Sequence, residues 1–139
     1  MLKGLNPILG PELLSHLRAM GHGDEIAIVD GNYPAVAHAK RLIRADGHGA
    51  ASLLDAILSV MPVDDFVSEA IFIPHNDTVQ PCHTQFKAIC VRHEPKQTVV
   101  PLIGQVFYDR VKTAYAIVAS GEPALYANII LRKGVIYPA

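Results

Sequence analysis

The sequence predicts a three-layer α/β domain, because segments with the apolar spacing of helices alternate with short apolar segments of strand length along the whole chain. With 139 residues the chain has the usual size of one domain and is long enough to bury a core without disulfides or metals. The sequence shows no internal repeat, low-complexity tract or linker. We therefore expect one domain over residues 1–139.

Five segments have the properties of helices. They cover residues 11–20, 35–41, 49–61, 81–93 and 106–113. The segment 49–61 is the most regular, because its apolar residues recur at intervals of three and four until Pro62 ends the pattern. The first helix begins at Pro11, since proline is favoured at the first helical position, and it ends before Gly21.

Six short apolar segments, four between these helices and two after the last one, are predicted to be strands. They cover residues 25–29, 42–44, 68–73, 98–103, 115–118 and 127–131. A loop over residues 30–34 follows the first strand, and ligands in open α/β sheets bind outside the carboxyl ends of strands. Pro101 cannot donate a backbone hydrogen bond, which predicts that its strand lies at the edge of the sheet or contains a bulge.

The composition excludes several classes of partner. Lys and Arg number 12 against 13 Asp and Glu, so the chain lacks the basic field that binds nucleic acid. The apolar runs are of strand length, far below the roughly 20 residues of a membrane span. Half of the residues are apolar and 18% are charged, which predicts that part of the apolar surface meets another subunit. We therefore expect a homo-oligomer that binds neither nucleic acid nor membrane.

The cysteines predict a cytoplasmic protein with reduced thiols, because only Cys82 and Cys90 occur and no signal peptide is evident. Together with His83 and His93 they suggest zinc, for which thiolates and imidazoles are the usual ligands. Their spacing fits no tetrahedral zinc pattern, so we predict no metal site. A metal-binding oligomer built on residues 82–93 stays an alternative.

The most informative stretch is residues 20–30, which reads MGHGDEIAIVD. His22 stands between two glycines, which leave the backbone free to place the imidazole at the mouth of a cleft. The strand that follows fixes where Asp30 emerges. A histidine, with a carboxylate able to orient it or to bind a polar ligand, is the minimum needed to move single protons. This pattern predicts proton transfer on a small molecule, although taken alone His22 is more often a turn residue and Asp30 a helix cap.

Several blocks resemble those of a known family. They are GHGDE at 21–25 with Asp30, IRADG at 43–47, FYDR at 107–110, SGE at 120–122 and LYANIILRKG at 125–134. In this order the blocks are similar to the RbsD/FucU family, and they cover nearly the whole chain. The RADG block and the Phe107-Tyr108 pair resemble the L-fucose mutarotase branch more than the D-ribose pyranase branch.

The resemblance implies a single three-layer α/β/α domain with a mixed sheet. It also implies a monosaccharide mutarotase, an isomerase that interconverts the anomers of a free sugar without a cofactor. Members often form rings of subunits with the site at a subunit boundary. On the family pattern His22 is the proton donor and Asp30 binds the sugar, with further contacts from Tyr126, Ala127 and Asn128. A tyrosine at such a position is otherwise commonly a half-buried packing residue.

One departure from the family pattern concerns residue 104. The family usually has a histidine or arginine three residues before the phenylalanine-tyrosine pair, where it contacts the sugar. Ungapped counting places Gly104 there. A one-residue slip would bring the amide of Gln105 to the same place, so we predict Gln105 as a sugar contact. The departure leaves open a substrate other than fucose.

Anomer exchange requires two proton transfers at a hemiacetal. We expect His22 to protonate the ring oxygen while a carboxylate or a bound water accepts the anomeric proton, with Asp30 anchoring hydroxyls. The alternative is a non-catalytic sugar-binding or assembly module of an uptake system, in which His22 and Asp30 only bind hydroxyls. Loss of rate without loss of binding on His22→Ala separates the two.

Overall fold

The computed structural model describes residues 1–139 and contains one six-stranded sheet and five helices. The helices are α1 Pro11–Ala19, α2 Ala35–His38, α3 Ala50–Leu58, α4 Pro81–His93 and α5 Gly104–Thr113. The strands are β1 Glu25–Val29, β2 Leu42–Ala45, β3 Ile71–Pro74, β4 Val99–Leu102, β5 Ala116–Ser120 and β6 Ile129–Arg132. All eleven predicted elements are present in the predicted order.

The sheet is mixed, with the strand order β2-β5-β1-β6-β3-β4. Strand β6 runs antiparallel to its neighbours β1 and β3, whereas the pairs β2·β5, β5·β1 and β3·β4 are parallel. Strand β1 lies inside the sheet and all five of its residues are buried. Strand β4 is an edge strand, so the edge position predicted from Pro101 is confirmed.

Helices cover both faces of the sheet. Because side chains alternate along a strand, Ile26 and Ile28 of β1 join the larger apolar cluster with α1, α3 and α4. Ala27 and Val29 face the other way and join a smaller cluster with Ala35 of α2 and Phe107 of α5. The predicted three-layer α/β/α architecture is therefore confirmed. No helix combines the length and the apolar character that a membrane crossing requires.

Several predicted boundaries were wrong by a few residues. The strand predicted from residue 68 starts at Ile71, because residues 66–69 are exposed and pair with no strand. Helix α3 ends at Leu58, although Met61 beyond it still packs into the core. Helix α5 starts two residues earlier than predicted, at Gly104, so that residue is the first of the helix. These shifts leave the layers unchanged.

Candidate active site

A cavity of about 460 Å³ lies outside the carboxyl end of β1 and beside the loop that leads into β6. Its position agrees with the expectation that ligands bind at this edge of the sheet. The lining comes from the loop after β1, from α2 and α5, and from the loop before β6. The lining residues are Asp30, Asn32, Tyr33, Pro34, His38, Gln105, Tyr108, Lys112, Leu125, Tyr126 and Asn128.

A buried pair of polar side chains forms the floor of this cavity. The backbone N–H of Asp30 donates to Asn128 Oδ1 at 2.8 Å, and Asn128 Nδ2 donates to Asp30 Oδ2 at 3.2 Å. The N–H of Asn32 donates to Asp30 Oδ1 at 2.9 Å. Asp30 caps no helix, since the residue before α2 is Pro34. Each carboxylate oxygen accepts one of these bonds and can accept more, so Asp30 is free to receive ligand hydroxyls.

Three tyrosines form walls of the cavity. The rings of Tyr33 and Tyr108 lie 6.0 Å apart between centroids, and the Tyr33 hydroxyl and His38 Nδ1 form a hydrogen bond of 2.9 Å. Burial, together with the neighbouring Tyr108 and Asp30, raises the pKa of Tyr33 to about 12. The pKa of Tyr108 is raised by the same burial and by Asp30. Both phenols are therefore neutral at pH 7 and present an apolar ring with a hydroxyl donor.

The third tyrosine, Tyr126, has an unusual backbone. Its φ is +63°, and it is the one non-glycine residue of the chain with a positive φ. Its carbonyl accepts a hydrogen bond from His83 Nε2 at 2.7 Å and another from the N–H of Asn128 at 2.8 Å. The neighbouring Ala127 is wholly buried and its side chain packs in the core, so only its backbone can reach a ligand.

Helix α5 supplies the remaining wall. Gln105 lines the cavity, but its Nε2 donates to Asp109 Oδ1 at 2.7 Å, which leaves the amide oxygen for a ligand. A Cβ added to Gly104 would lie 3.9 Å from the ring of Tyr108, at ordinary contact distance. Lys112, two turns further along the helix, also lines the cavity. Gly104 thus carries no side chain into the space beside Tyr108, and the cation that helix α5 supplies to the cavity is Lys112.

His22 lies at the amino-terminal end of β1, on the opposite side of the sheet from the strand end that carries this cavity. It precedes β1 whereas Asp30 follows it, and the strand between them spans about 16 Å. The side chain of His22 is 38% exposed, and its ring contacts Phe66 edge to face at 4.7 Å. Gly23 beside it has a φ of +89°, a conformation that favours glycine. Within one chain, His22 and Asp30 therefore cannot touch the same small ligand.

The carboxylate that orients His22 is Asp64. His22 Nε2 donates to Asp64 Oδ1 at 2.9 Å, and Arg132 Nε donates to Asp64 Oδ2 at 2.8 Å. The side chain of Asp64 has no exposed surface. Burial alone would raise the pKa of Asp64, but the hydrogen bonds from Arg132, the N–H of Phe66 and His22 outweigh it and lower the pKa to about 2. Asp64 is therefore a carboxylate at neutral pH.

Arg132 links this pair to a second buried carboxylate. Arg110 binds Glu25 through two hydrogen bonds of 2.8 and 2.6 Å, and Arg132 Nη1 lies 3.9 Å from Glu25 Oε2. The two arginines line a charged cavity of about 630 Å³ at this edge together with Lys40 and Arg41. Ion pairs between arginines and buried carboxylates thus stabilise the end of the sheet that carries His22.

The structure groups the predicted residues into two places. The cavity brings together four of them, Asp30, Gln105, Tyr126 and Asn128, whereas His22 lies at the other end of β1. Sequence reasoning missed the cavity residues Tyr33, His38, Tyr108 and Lys112, and it missed Asp64 and His83. The position of Tyr33 in the loop after β1 was a usable signal. Asp64 lies 42 residues from His22 in the sequence, and no local pattern indicates their contact.

Comparisons with known proteins show the family and agree with the fold. A model of the RbsD / FucU transport protein family matches residues 3–136. L-fucose mutarotase of Actinobacillus pleuropneumoniae serotype 5b is 40% identical over 97% of both chains. Human fucose mutarotase is 39% identical over 97% of this chain and 94% of its own. The crystal structure of the fucose mutarotase from Streptococcus pneumoniae in complex with L-fucose is 42% identical, with a TM-score of 0.92 over 98% of this chain and 100% of that one.

We predict that Asp64→Asn changes how stability depends on pH. Because the folded pKa of Asp64 is lowered to about 2, its contribution is present above the unfolded value near 4 and is lost as the pH falls toward 2. At pH 6 the variant should lose on the order of 2 kcal/mol of unfolding free energy, and this deficit should vanish near pH 2. Urea unfolding across pH measures it, with the exposed Asp77→Asn as control. A deficit that does not vary with pH would contradict the assignment.

Proposed function

Because the chain belongs to the RbsD/FucU family, we propose that it is a monosaccharide mutarotase that exchanges the α and β anomers of a free, fucose-like sugar. The family expected from the sequence blocks is thereby confirmed. One observation carries the proposal. His22 is exposed and held by a buried carboxylate, while the cavity suited to a sugar lies at the opposite end of the same strand. Two copies of the chain together supply an acid and a binding site.

The sugar binds in the cavity at the end of β1. Asp30 accepts hydrogen bonds from hydroxyls, and the amides of Asn128 and Gln105 add a donor and an acceptor. The ring of Tyr126, which is 42% exposed, packs against the C–H face of the sugar. Ala127 contributes through its backbone. These groups bind a neutral polyhydroxylated molecule and fix its orientation.

His22 reaches the sugar from a neighbouring subunit. Its ring contacts that of the exposed Phe66, and Val67, Ile136 and Tyr137, which adjoin Phe66 or Tyr137 in the chain, are further exposed apolar residues. The rings of Phe66 and Tyr137 are stacked with their centroids 6.3 Å apart, and Phe66 is 63% exposed. Exposed apolar patches on small domains commonly mark interfaces. We infer that this patch docks beside the cavity of the next copy in a homo-oligomer, which places the site at a subunit boundary.

The reaction opens and closes the sugar ring without net transfer of protons or electrons. His22 donates a proton to the ring oxygen as the bond from that oxygen to the anomeric carbon breaks, and the anomeric hydroxyl loses its proton as the carbonyl forms. Asp30 is the one carboxylate that lines the cavity, so this proton leaves to Asp30 or to water bound by it. Rotation of the open aldehyde and reversal of both transfers give the other anomer. No cofactor is needed for these steps.

We also infer that the protein works in the reducing cytoplasm. Cys82 and Cys90 are both free thiols. They lie eight residues apart on α4, about 12 Å along the helix, which is too far for a disulfide between them. Cytoplasmic proteins keep their thiols reduced.

We predict that His22→Ala removes most of the anomer-exchange rate while the protein still folds and binds sugar. Loss of one acid-base group should lower the rate by about 10² to 10⁴-fold. Line broadening between the anomer signals in NMR measures the exchange. His75→Ala is the matched control, because His75 is also exposed and paired with an aspartate at 3.0 Å. Sugar binding without any catalysed exchange in the wild type would instead support the binding-module alternative.

Asp30→Asn should weaken sugar binding. The change removes a charge-assisted hydrogen bond worth about 1.5–3 kcal/mol, which raises the dissociation constant by one to two orders of magnitude. Calorimetric titration with fucose measures the constant, and Asp77→Asn, an exposed carboxylate that does not line the cavity, is the control. An unchanged constant would leave Asp30 with only its structural bonds to Asn32 and Asn128.

Gly104→Arg should tighten the binding of fucose. The open wall beside Tyr108 accommodates a longer side chain, and one charged hydrogen bond is worth about 1.5–3 kcal/mol. In the unmodified chain, a sugar with an apolar group at this wall should bind better than fucose. Titration with fucose, rhamnose, ribose and galactose tests both statements. Tight fucose binding that Gly104→Arg weakens would show that another residue, first Gln105, already occupies the place.

A further inference from the structure

The first turn of α4 contacts the sugar cavity through the loop before β6. His83, the third residue of the helix, donates from Nε2 to the Tyr126 carbonyl at 2.7 Å. The thiol of Cys82 lies 3.7 Å from the carbonyl of Leu125, within reach of a weak hydrogen bond. Two successive residues of the helix thus hold two successive carbonyls of the loop. Leu125 and Tyr126 are both cavity residues.

The loop needs such support because Tyr126 adopts a left-handed backbone conformation. A tyrosine at a φ of +63° has its Cβ close to its own backbone, which costs free energy unless the surroundings compensate. This conformation lets the Tyr126 carbonyl point to α4 while its ring stays at the cavity. Backbone strain of this kind persists only where neighbouring contacts impose it.

His83 is suited to impose the left-handed conformation on Tyr126. The residue is only 6% exposed and packs beside Phe86, and burial lowers its pKa, so its ring is neutral at pH 7. A neutral imidazole has one N–H, and the bond to the carbonyl requires that this proton be on Nε2. A carbonyl that lost this donor would keep only the N–H of Asn128 as a partner. Residues 82–93, which suggested a metal site in the sequence, thus include a histidine that binds a backbone carbonyl of the cavity loop.

We propose that His83 is a positioning residue of the sugar site, which holds Tyr126 in its left-handed conformation and so places the phenol ring against the sugar. The inference rests on the proposed function for its effect on catalysis. Its structural half, that His83 controls the conformation of Tyr126, is independent of any sugar. Because His22 carries out the proton transfer, loss of His83 acts on sugar binding rather than on the chemical step.

Three variants test the role. His83→Leu removes the donor, His83→Gln keeps an N–H of similar reach, and His93→Leu is the control on the same helix. His93 is also largely buried and bonded, to Asp55 Oδ1 at 2.7 Å, but it lies at the other end of α4. Each variant is measured for the KM and kcat of anomer exchange. In the sugar-free protein, the intraresidue NOE between the amide proton and Hα of Tyr126 reports a positive φ.

We expect His83→Leu to raise KM about tenfold, to change kcat by less than about twofold and to weaken the NOE, since the Tyr126 carbonyl loses one of its two donors. His83→Gln should restore KM and the NOE to near the wild-type values, and His93→Leu should change neither. The inference is overturned if His83→Leu keeps both, or if His83→Gln behaves like His83→Leu. If His83→Leu does not fold, the ¹⁵N spectrum of the wild-type imidazole decides, because a proton on Nδ1 alone is incompatible with the bond. Absence of exchange in the wild type would refute the proposed function and leave the NOE comparison valid.

Discussion

The contact on which the account depends is the buried carboxylate of Asp64 between Arg132 and His22. Arg132 belongs to β6, so the contact ties the irregular segment after α3 to the sheet and orients the imidazole at the same time. A carboxylate without exposed surface is stable only with such partners. Removing Arg132 would leave the Asp64 charge uncompensated, whereas removing His22 leaves the bond to Arg132 in place. The same carboxylate thus stabilises this end of the sheet and fixes the position of His22.

The antiparallel pair β1·β6 determines where the remaining site residues lie. At one end of the pair Glu25 is opposite Arg132, in the ionic cluster beside His22. At the other end Asp30 binds Asn128 on the floor of the cavity. One pair of strands therefore fixes the positions of His22 and of the cavity and keeps them apart. On the proposed function, the chemistry then requires association of subunits, for which the exposed Phe66 beside His22 offers an apolar surface.

The sequence was sufficient for the layers, the alternation of elements and the position of Asp30 after a strand, because these depend on local periodicity and on neighbours in the chain. Asn128, which precedes β6, was predicted only from the resemblance to the RbsD/FucU family. The partner of His22 was not, since Asp64 reaches it through tertiary packing over 42 residues. His83 was assigned to a metal alternative because composition does not reveal which face of a helix meets which loop. The left-handed conformation of Tyr126 had no signal, as glycine is the residue that normally marks it.

The central claim is that each active site takes His22 from one copy and the sugar cavity from another. The most direct test combines two defective subunits, His22→Ala and Asp30→Asn, in equal amounts within mixed oligomers. If neighbours contact head to tail, about a quarter of the boundaries pair an intact His22 with an intact cavity, so exchange should return to about a quarter of the wild-type rate. Mixed oligomers whose rate equals only the mean of the two variants would contradict the claim.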